Sequence, residues 1–151
     1  ARLLANVDAL AIAGGHVAVL ANRLRLFDVL ALSGDRPVIA WSAGAMACSE
    51  RIVLFHDHPP YGTGHAQVLD QGLGLADGLV FLPHARRRLD LGDTARVGMF
   101  ARRLAPRAGV VMEDGAALTW RPGSGWVADG GCLRMQDDGT LAPFALKGVA
   151  A

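Results

Sequence analysis

Ser42, His84 and the acidic pair Glu113-Asp114 each stand after a short apolar run, and Gly14-Gly15 stand after another. A serine, a histidine and a carboxylate have the parts of a nucleophile, its base and the group that orients the base. In such a set His84 takes the Ser42 proton, and the carboxylate holds the imidazole in one tautomer. The backbone N–H groups of Gly15 and Ala43 then face the oxyanion of a tetrahedral intermediate. This chemistry needs the four strand ends to meet on one edge, so the elements that carry them decide it.

The strongest positioning element is Pro37-Val38-Ile39-Ala40-Trp41-Ser42-Ala43-Gly44-Ala45. A β-branched apolar run reads as a buried strand, and the helix formers of residues 43–47 follow it at once. A strand that turns sharply into a helix at a serine is a nucleophile elbow. The crowded turn wants minimal side chains two residues before and after the serine, where Ala40 and Gly44 stand. The alternative is a Ser-Ala-Gly turn that only joins a strand to a helix.

Residues 7–13 read as a preceding strand that ends at Gly14-Gly15-His16, and 17–32 carry apolar residues at helical spacing. Strand, helix, strand, helix predicts a parallel sheet with crossover helices. A short strand is expected over 51–55 and an irregular, functional loop over 56–71, which holds Pro59-Pro60, Gly62 and Gly64. Residues 73–75 and 78–82 restore a strand that finishes at Pro83-His84. A helix over 95–104, capped by Asp93 or Thr94, leads to a strand over 109–112. Turn signals at Pro122-Gly123, Gly130-Gly131 and Asp138-Gly139 then predict antiparallel hairpins. The expected fold is therefore a single α/β domain over 1–151. It has a mostly parallel sheet with flanking helices and a small C-terminal antiparallel β appendage. In open α/β sheets ligands sit beyond the carboxyl ends of the strands.

Composition narrows the function classes. The chain is 52% hydrophobic and 19% charged with a net charge of +1, which fits a well-buried core and speaks against coating nucleic acid. No apolar run approaches the roughly 20 residues of a membrane helix. Cys48 and Cys132 lack metal or redox spacing and read as reduced thiols, which makes the cytoplasm the default compartment. His56-Asp57-His58 with His65 invites a metal, but ligating histidines need a fixed scaffold and these fall in the expected loop. No metal and no cofactor is expected.

Taken in order, Gly14-Gly15-His16, Trp41-Ser42-Ala43-Gly44-Ala45, Gln71-Gly72-Leu73-Gly74 with Leu82-Pro83-His84, and Asp114-Gly115-Ala116-Ala117-Leu118 resemble peptidase family S51. That family comprises aspartyl dipeptidase and cyanophycinase on a fold similar to class I glutamine amidotransferases. The resemblance implies a serine peptidase that cleaves aspartyl dipeptides or β-aspartyl isopeptides through an acyl-enzyme. By that likeness Ser42 is the nucleophile, His84 the base, and Gly15 with Ala43 the oxyanion donors. Aligned on Gly115-Ala116-Ala117-Leu118, the acid is Asp114, where the family usually has Glu. Glu113 is the neighbouring alternative, and an order of serine, acid, histidine would instead nominate Asp57, Asp70 or Asp77.

Arg86-Arg87-Arg88 follow the histidine, as arginines do in cyanophycinase-like members, and guanidinium groups pair well with carboxylates. Arg86 and Arg88 are thus candidates to hold a small acidic peptide or isopeptide. The chain departs from the family where a glycine-asparagine turn is Gly15-His16. It also begins almost at the Gly-Gly strand, where relatives carry further strand–helix units. This suggests a fragment, a processed piece or a minimal version, with self-association or a companion segment covering an open sheet edge. Two other readings stand beside the peptidase: a catalytically silent amidotransferase-like binding domain, and an esterase or acyltransferase using the same trio.

Overall fold

The computed structural model describes residues 4–56 and 66–145. A short 3-10 helix, Leu4–Asn6, precedes strand β1, Leu10–Ile12. The expected helix over 17–32 is broken into α1, Val17–Leu26, and α2, Val29–Ser33. The break falls at Asp28, whose φ of 48° and ψ of 41° are left-handed. Aspartate tolerates that region better than most residues, and its N–H still reaches the carbonyl of Arg25 at 3.0 Å. Strand β2, Val38–Ala40, pairs parallel with β1, Leu10 opposite Val38 and Ile12 opposite Ala40. Helix α3, Ala43–Cys48, leads to β3, Arg51–Leu54, and then to β4, Gln67–Gln71.

Next come β5, Leu79–Pro83, and the single turn α4, Ala85–Arg88. Helix α5, Thr94–Leu104, follows, and Asp93 caps it by accepting the Arg96 N–H at 3.0 Å. Strand β6, Ala108–Met112, runs parallel to β5. The chain closes with the hairpin β7, Ala117–Arg121, and β8, Gly125–Asp129, then β9, Leu133–Met135, and β10, Leu141–Pro143.

This architecture corrects the expected one. Among the described residues there is no mostly parallel sheet with flanking helices. The described strands form three two-stranded sheets, β1-β2, β3-β4 and β7-β8, and one mixed four-stranded sheet ordered β10-β9-β6-β5. Among the described strands only β1-β2 and β5-β6 pair in parallel. The reason lies in residues 67–71. They were expected in an irregular loop, yet they turn back as β4 and pair antiparallel with β3, with a bulge between Ile52 and Val53. The strand after α3 thus closes a hairpin instead of joining a common sheet. Residues 73–75, expected as strand, are irregular. Nor are the late strands all an appendage: β9 pairs directly with β6, and only β7-β8 stands apart as a separate sheet.

Strand β5 organises the packing. All five of its residues are buried, and alternate side chains serve opposite faces. Val80 and Leu82 join Val111 and Met135 beneath Val97, Phe100 and Leu104 of α5. Leu79 and Phe81 join Val110 on the other face, where the ring of Trp126 meets Phe81 edge-on at 5.8 Å. A third cluster, including Val17, Ala21, Met46 and Ile52, binds α1, α3 and β3. Ser49 ties this part to the main sheet: its Oγ accepts the Phe81 N–H at 2.8 Å.

Candidate functional site

The turn at Ser42 is built as the local sequence demands. Ser42 has φ 52° and ψ −124°, a conformation that L-residues with a side chain rarely hold. It is enforced from both sides. The Trp41 N–H donates to Ile12 O at 3.2 Å, and the Gly44 N–H returns to Trp41 O at 2.9 Å. A Cβ on Gly44 would lie 2.1 Å from Ile12 O, so only glycine lets α3 approach β1 this closely. Gly14 lies against the serine, since a Cβ there would stand 3.3 Å from Ser42 Oγ. Ala43 opens α3, and its N–H has no partner within the helix.

A cavity of about 220 Å³ opens beside the serine. Gly15, His16, Ser42, Ala43, Phe55 and Arg88 are on its walls, with Val17, Met46 and Leu54 as apolar lining. The structure therefore brings the nucleophile candidate, both oxyanion candidates and one of the two arginines to a single space. Arg88 is fixed there: its guanidinium carbon stands 5.0 Å from the centre of the Phe55 ring, and Nη1 donates to Pro83 O at 3.3 Å. Arg86 is exposed and does not line the cavity. Its backbone N–H donates to Glu113 Oε1 at 2.9 Å.

His84 follows the end of β5 with left-handed φ 52° and ψ 38°, held by its N–H on Met112 O at 2.8 Å. Its Nδ1 lies 3.1 Å from Asp114 Oδ1. The two acidic neighbours thus have separate tasks. Asp114 faces the imidazole, while Glu113 receives the start of α4. Among the described residues no hydrogen bond joins Ser42 to His84, and His84 is not on the cavity wall. The serine half and the histidine half of the site stand as two assembled pieces, linked by the packing of α3 on β5.

The other acid candidates are placed elsewhere or not at all. Asp70 pairs with Arg25 at 3.7 Å, and Asp77 sits in the turn before β5. Asp57, His58 and His65 lie outside the described residues. Among the described residues no group of three His, Cys, Asp or Glu side chains is placed to hold a metal, and no helix is long and apolar enough to cross a membrane. Cys48 is buried in α3, where desolvation pushes its thiol up to about 11.

Sequence reasoning passed over two contributors. His16 stands in the sequence as the end of the Gly14-Gly15-His16 block and as a departure from a glycine-asparagine turn, with no role of its own, yet it lines the cavity. Phe55 was read as a strand end, with no local signal that Arg88, 33 positions on, would rest on its ring. No family model matches the chain, and no curated protein or solved structure does.

Proposed function

We propose that this chain is a serine hydrolase of the S51 type that cleaves aspartyl dipeptides or β-aspartyl isopeptides through an acyl-enzyme. The observation that carries the reading is Ser42 itself. A serine held at φ 52° and ψ −124° between β2 and α3, on the wall of a cavity, is what a nucleophile elbow requires. In this mechanism Ser42 Oγ attacks the substrate carbonyl, and the N–H groups of Gly15 and Ala43 stabilise the oxyanion. Nδ1 of His84 faces Asp114, which leaves Nε2 to take the serine proton and return it to the leaving amine. In this reading the Ser42–His84 hydrogen bond forms only once substrate is bound. Arg88 offers its guanidinium to the carboxylate of a small acidic substrate.

The same residues would serve an esterase or acyltransferase, which differs only in the substrate taken. A second reading is favoured by the missing hydrogen bond between Ser42 and His84 among the described residues. In that reading the domain is catalytically silent and binds a small acidic ligand. The compartment we propose is the cytoplasm. Self-association through the β1-β2 pair belongs to the same proposal, because parallel strands are normally covered on both faces. Here Ile39 is 58% exposed and Trp41 51%.

The experiment compares the full chain with its Ser42→Ala variant on aspartyl dipeptides and β-aspartyl isopeptides. Labelling by a fluorophosphonate is followed in parallel. Ser42-dependent cleavage and labelling support the hydrolase. A folded protein that neither cleaves nor labels rejects it and favours the silent domain.

A further inference from the structure

Ser49 closes α3 at the end opposite Ser42. Among the described residues it is one of two buried polar side chains, the other being Ser33. Ser33 bonds within its own helix, to Leu30 O at 2.7 Å. Ser49 reaches out of its helix instead, and its Oγ accepts the Phe81 N–H of β5 at 2.8 Å. The same hydroxyl donates back to Ala45 O on α3 at 3.5 Å. One buried group therefore joins the helix that starts at Ser42 to the strand that ends before His84. Ala45 is three residues after the serine, and Phe81 is three before the histidine.

The neighbouring backbone explains why a side chain makes this link. The Glu50 N–H donates to Leu79 O at 3.1 Å, as a parallel neighbour of β5 would. In a parallel ladder the Glu50 carbonyl would then take the Phe81 N–H. That carbonyl accepts the Gly72 N–H at 2.9 Å. The Gln71-Gly72-Leu73-Gly74 block continues along the end of α3. Leu73 donates its N–H to Ala47 O at 2.8 Å, and Gly74 donates to Ser49 O at 3.1 Å. A Cβ on Gly72 would lie 1.8 Å from Ser49 O, so glycine is what admits the block this close. With these carbonyls engaged, the Ser49 hydroxyl completes the rung on β5. Alanine at this position would leave the buried Phe81 N–H without that acceptor and loosen α3 against β5.

We propose that Ser49 is a positioning residue for the Ser42 site, fixing the nucleophile relative to His84 through its bond to the Phe81 N–H. The inference rests on the hydrolase reading and deepens it by naming the group that aligns the two halves of the site.

The test follows the rate of fluorophosphonate labelling of Ser42 in the full chain. It compares the parent with Ser49→Ala, Ser49→Thr, His84→Gln and the double variant Ser49→Ala/His84→Gln. Val97→Ala, which opens a hole beneath α5, serves as a destabilised control, and thermal melts confirm that each protein folds. Ser49→Ala should label about ten- to a hundredfold more slowly, as expected when a reacting group moves by about 1 Å. Ser49→Thr keeps the hydroxyl and should recover most of the loss. In the His84→Gln background Ser49→Ala should change the rate by less than about twofold, because the alignment it supports is already gone. Val97→Ala should label at the parent rate even where its melting point falls as far. Parent-like labelling of Ser49→Ala, or an equal loss in Val97→Ala, would overturn the proposal. So would a full further loss on top of His84→Gln, or no recovery in a folded Ser49→Thr.

The two readings fail differently. A parent chain that neither labels nor cleaves aspartyl peptides removes the hydrolase, and the Ser49 role goes with it. A parent whose labelling needs Ser42 and His84 but is indifferent to Ser49 keeps the hydrolase and rejects Ser49 alone.

Discussion

His84 Nδ1 and Asp114 Oδ1 face each other at 3.1 Å across the ends of the parallel strands β5 and β6. The register of those strands sets the pairing: Pro83 lies opposite Met112, and the His84 N–H closes onto Met112 O. The histidine and the acid therefore meet because two buried strands end level. Glu113, one residue earlier, is drawn to the N–H of Arg86 instead.

That division makes Asp114→Asn the sharper of two neighbouring substitutions. If the trio works as proposed, loss of the orienting carboxylate should lower kcat about 10²–10⁴-fold. Stability should move by less than about 0.5 kcal/mol, because the Asp114 side chain is 78% exposed. Glu113→Gln should do the reverse, leaving kcat within a few fold while loosening the start of α4. Steady-state kinetics and thermal unfolding of both variants check the contrast.

Much of the site was legible in the chain because each piece is local. A β-branched run, a serine and a glycine two residues later specify the Ser42 turn within nine residues, and Asp114 precedes its glycine turn directly. The fold was less legible because strand pairing is not local. Residues 67–71 carry glutamines and an aspartate around Val68 and Leu69, which read as loop until β3 supplies a partner. The helix over 17–32 kept its apolar spacing through Asp28, so periodicity alone gave no sign of the break. His16 could be found only by what it lines, since nothing in its neighbours shows that the cavity opens there.

Gly44→Ala tests the close approach of α3 to β1. The added methyl would meet the backbone oxygen of Ile12, which cannot rotate away, so the turn must shift. A cost of about 1–3 kcal/mol is expected, as for other overpacked sites. Fluorophosphonate labelling of Ser42 should fall with it. A melt unchanged from that of the parent chain would show that the helix start is looser than the geometry requires.

Glu50 gives a prediction for acid stability. The Gly78 N–H, 2.8 Å from Oε2, and then Arg107, 2.5 Å from Oε1, hold its carboxyl below the usual carboxylate range. A carboxyl lowered in the folded state contributes stability above its unfolded pKa of about 4.3 and loses it as pH falls through the folded value. Glu50→Gln should cost about 1–2 kcal/mol at pH 7 and flatten the decline below about pH 4. Urea unfolding of both chains between pH 3 and 7 reads the effect.

Cys48 should be inert while the chain is folded. With its thiol at about 11, little thiolate exists near neutrality. At pH 8 a maleimide or disulfide reagent should react with Cys48 about a hundredfold more slowly than after unfolding. Peptide mapping of the labelled chain separates this site from Cys132.

The Ser42 turn finally predicts an inequality between two variants that both lack the hydroxyl. Alanine keeps the Cβ that makes φ 52° and ψ −124° costly, whereas glycine accepts this region without a steric clash. Removing the strain recovers about 1–3 kcal/mol, and glycine returns roughly 0.5–1 kcal/mol of that as backbone entropy. Ser42→Gly should therefore melt above Ser42→Ala, by about 1 kcal/mol at the midpoint. Both should lose labelling. Equal melting points would mean that the serine backbone is relaxed in solution, and the proposed nucleophile elbow would lose its geometric basis.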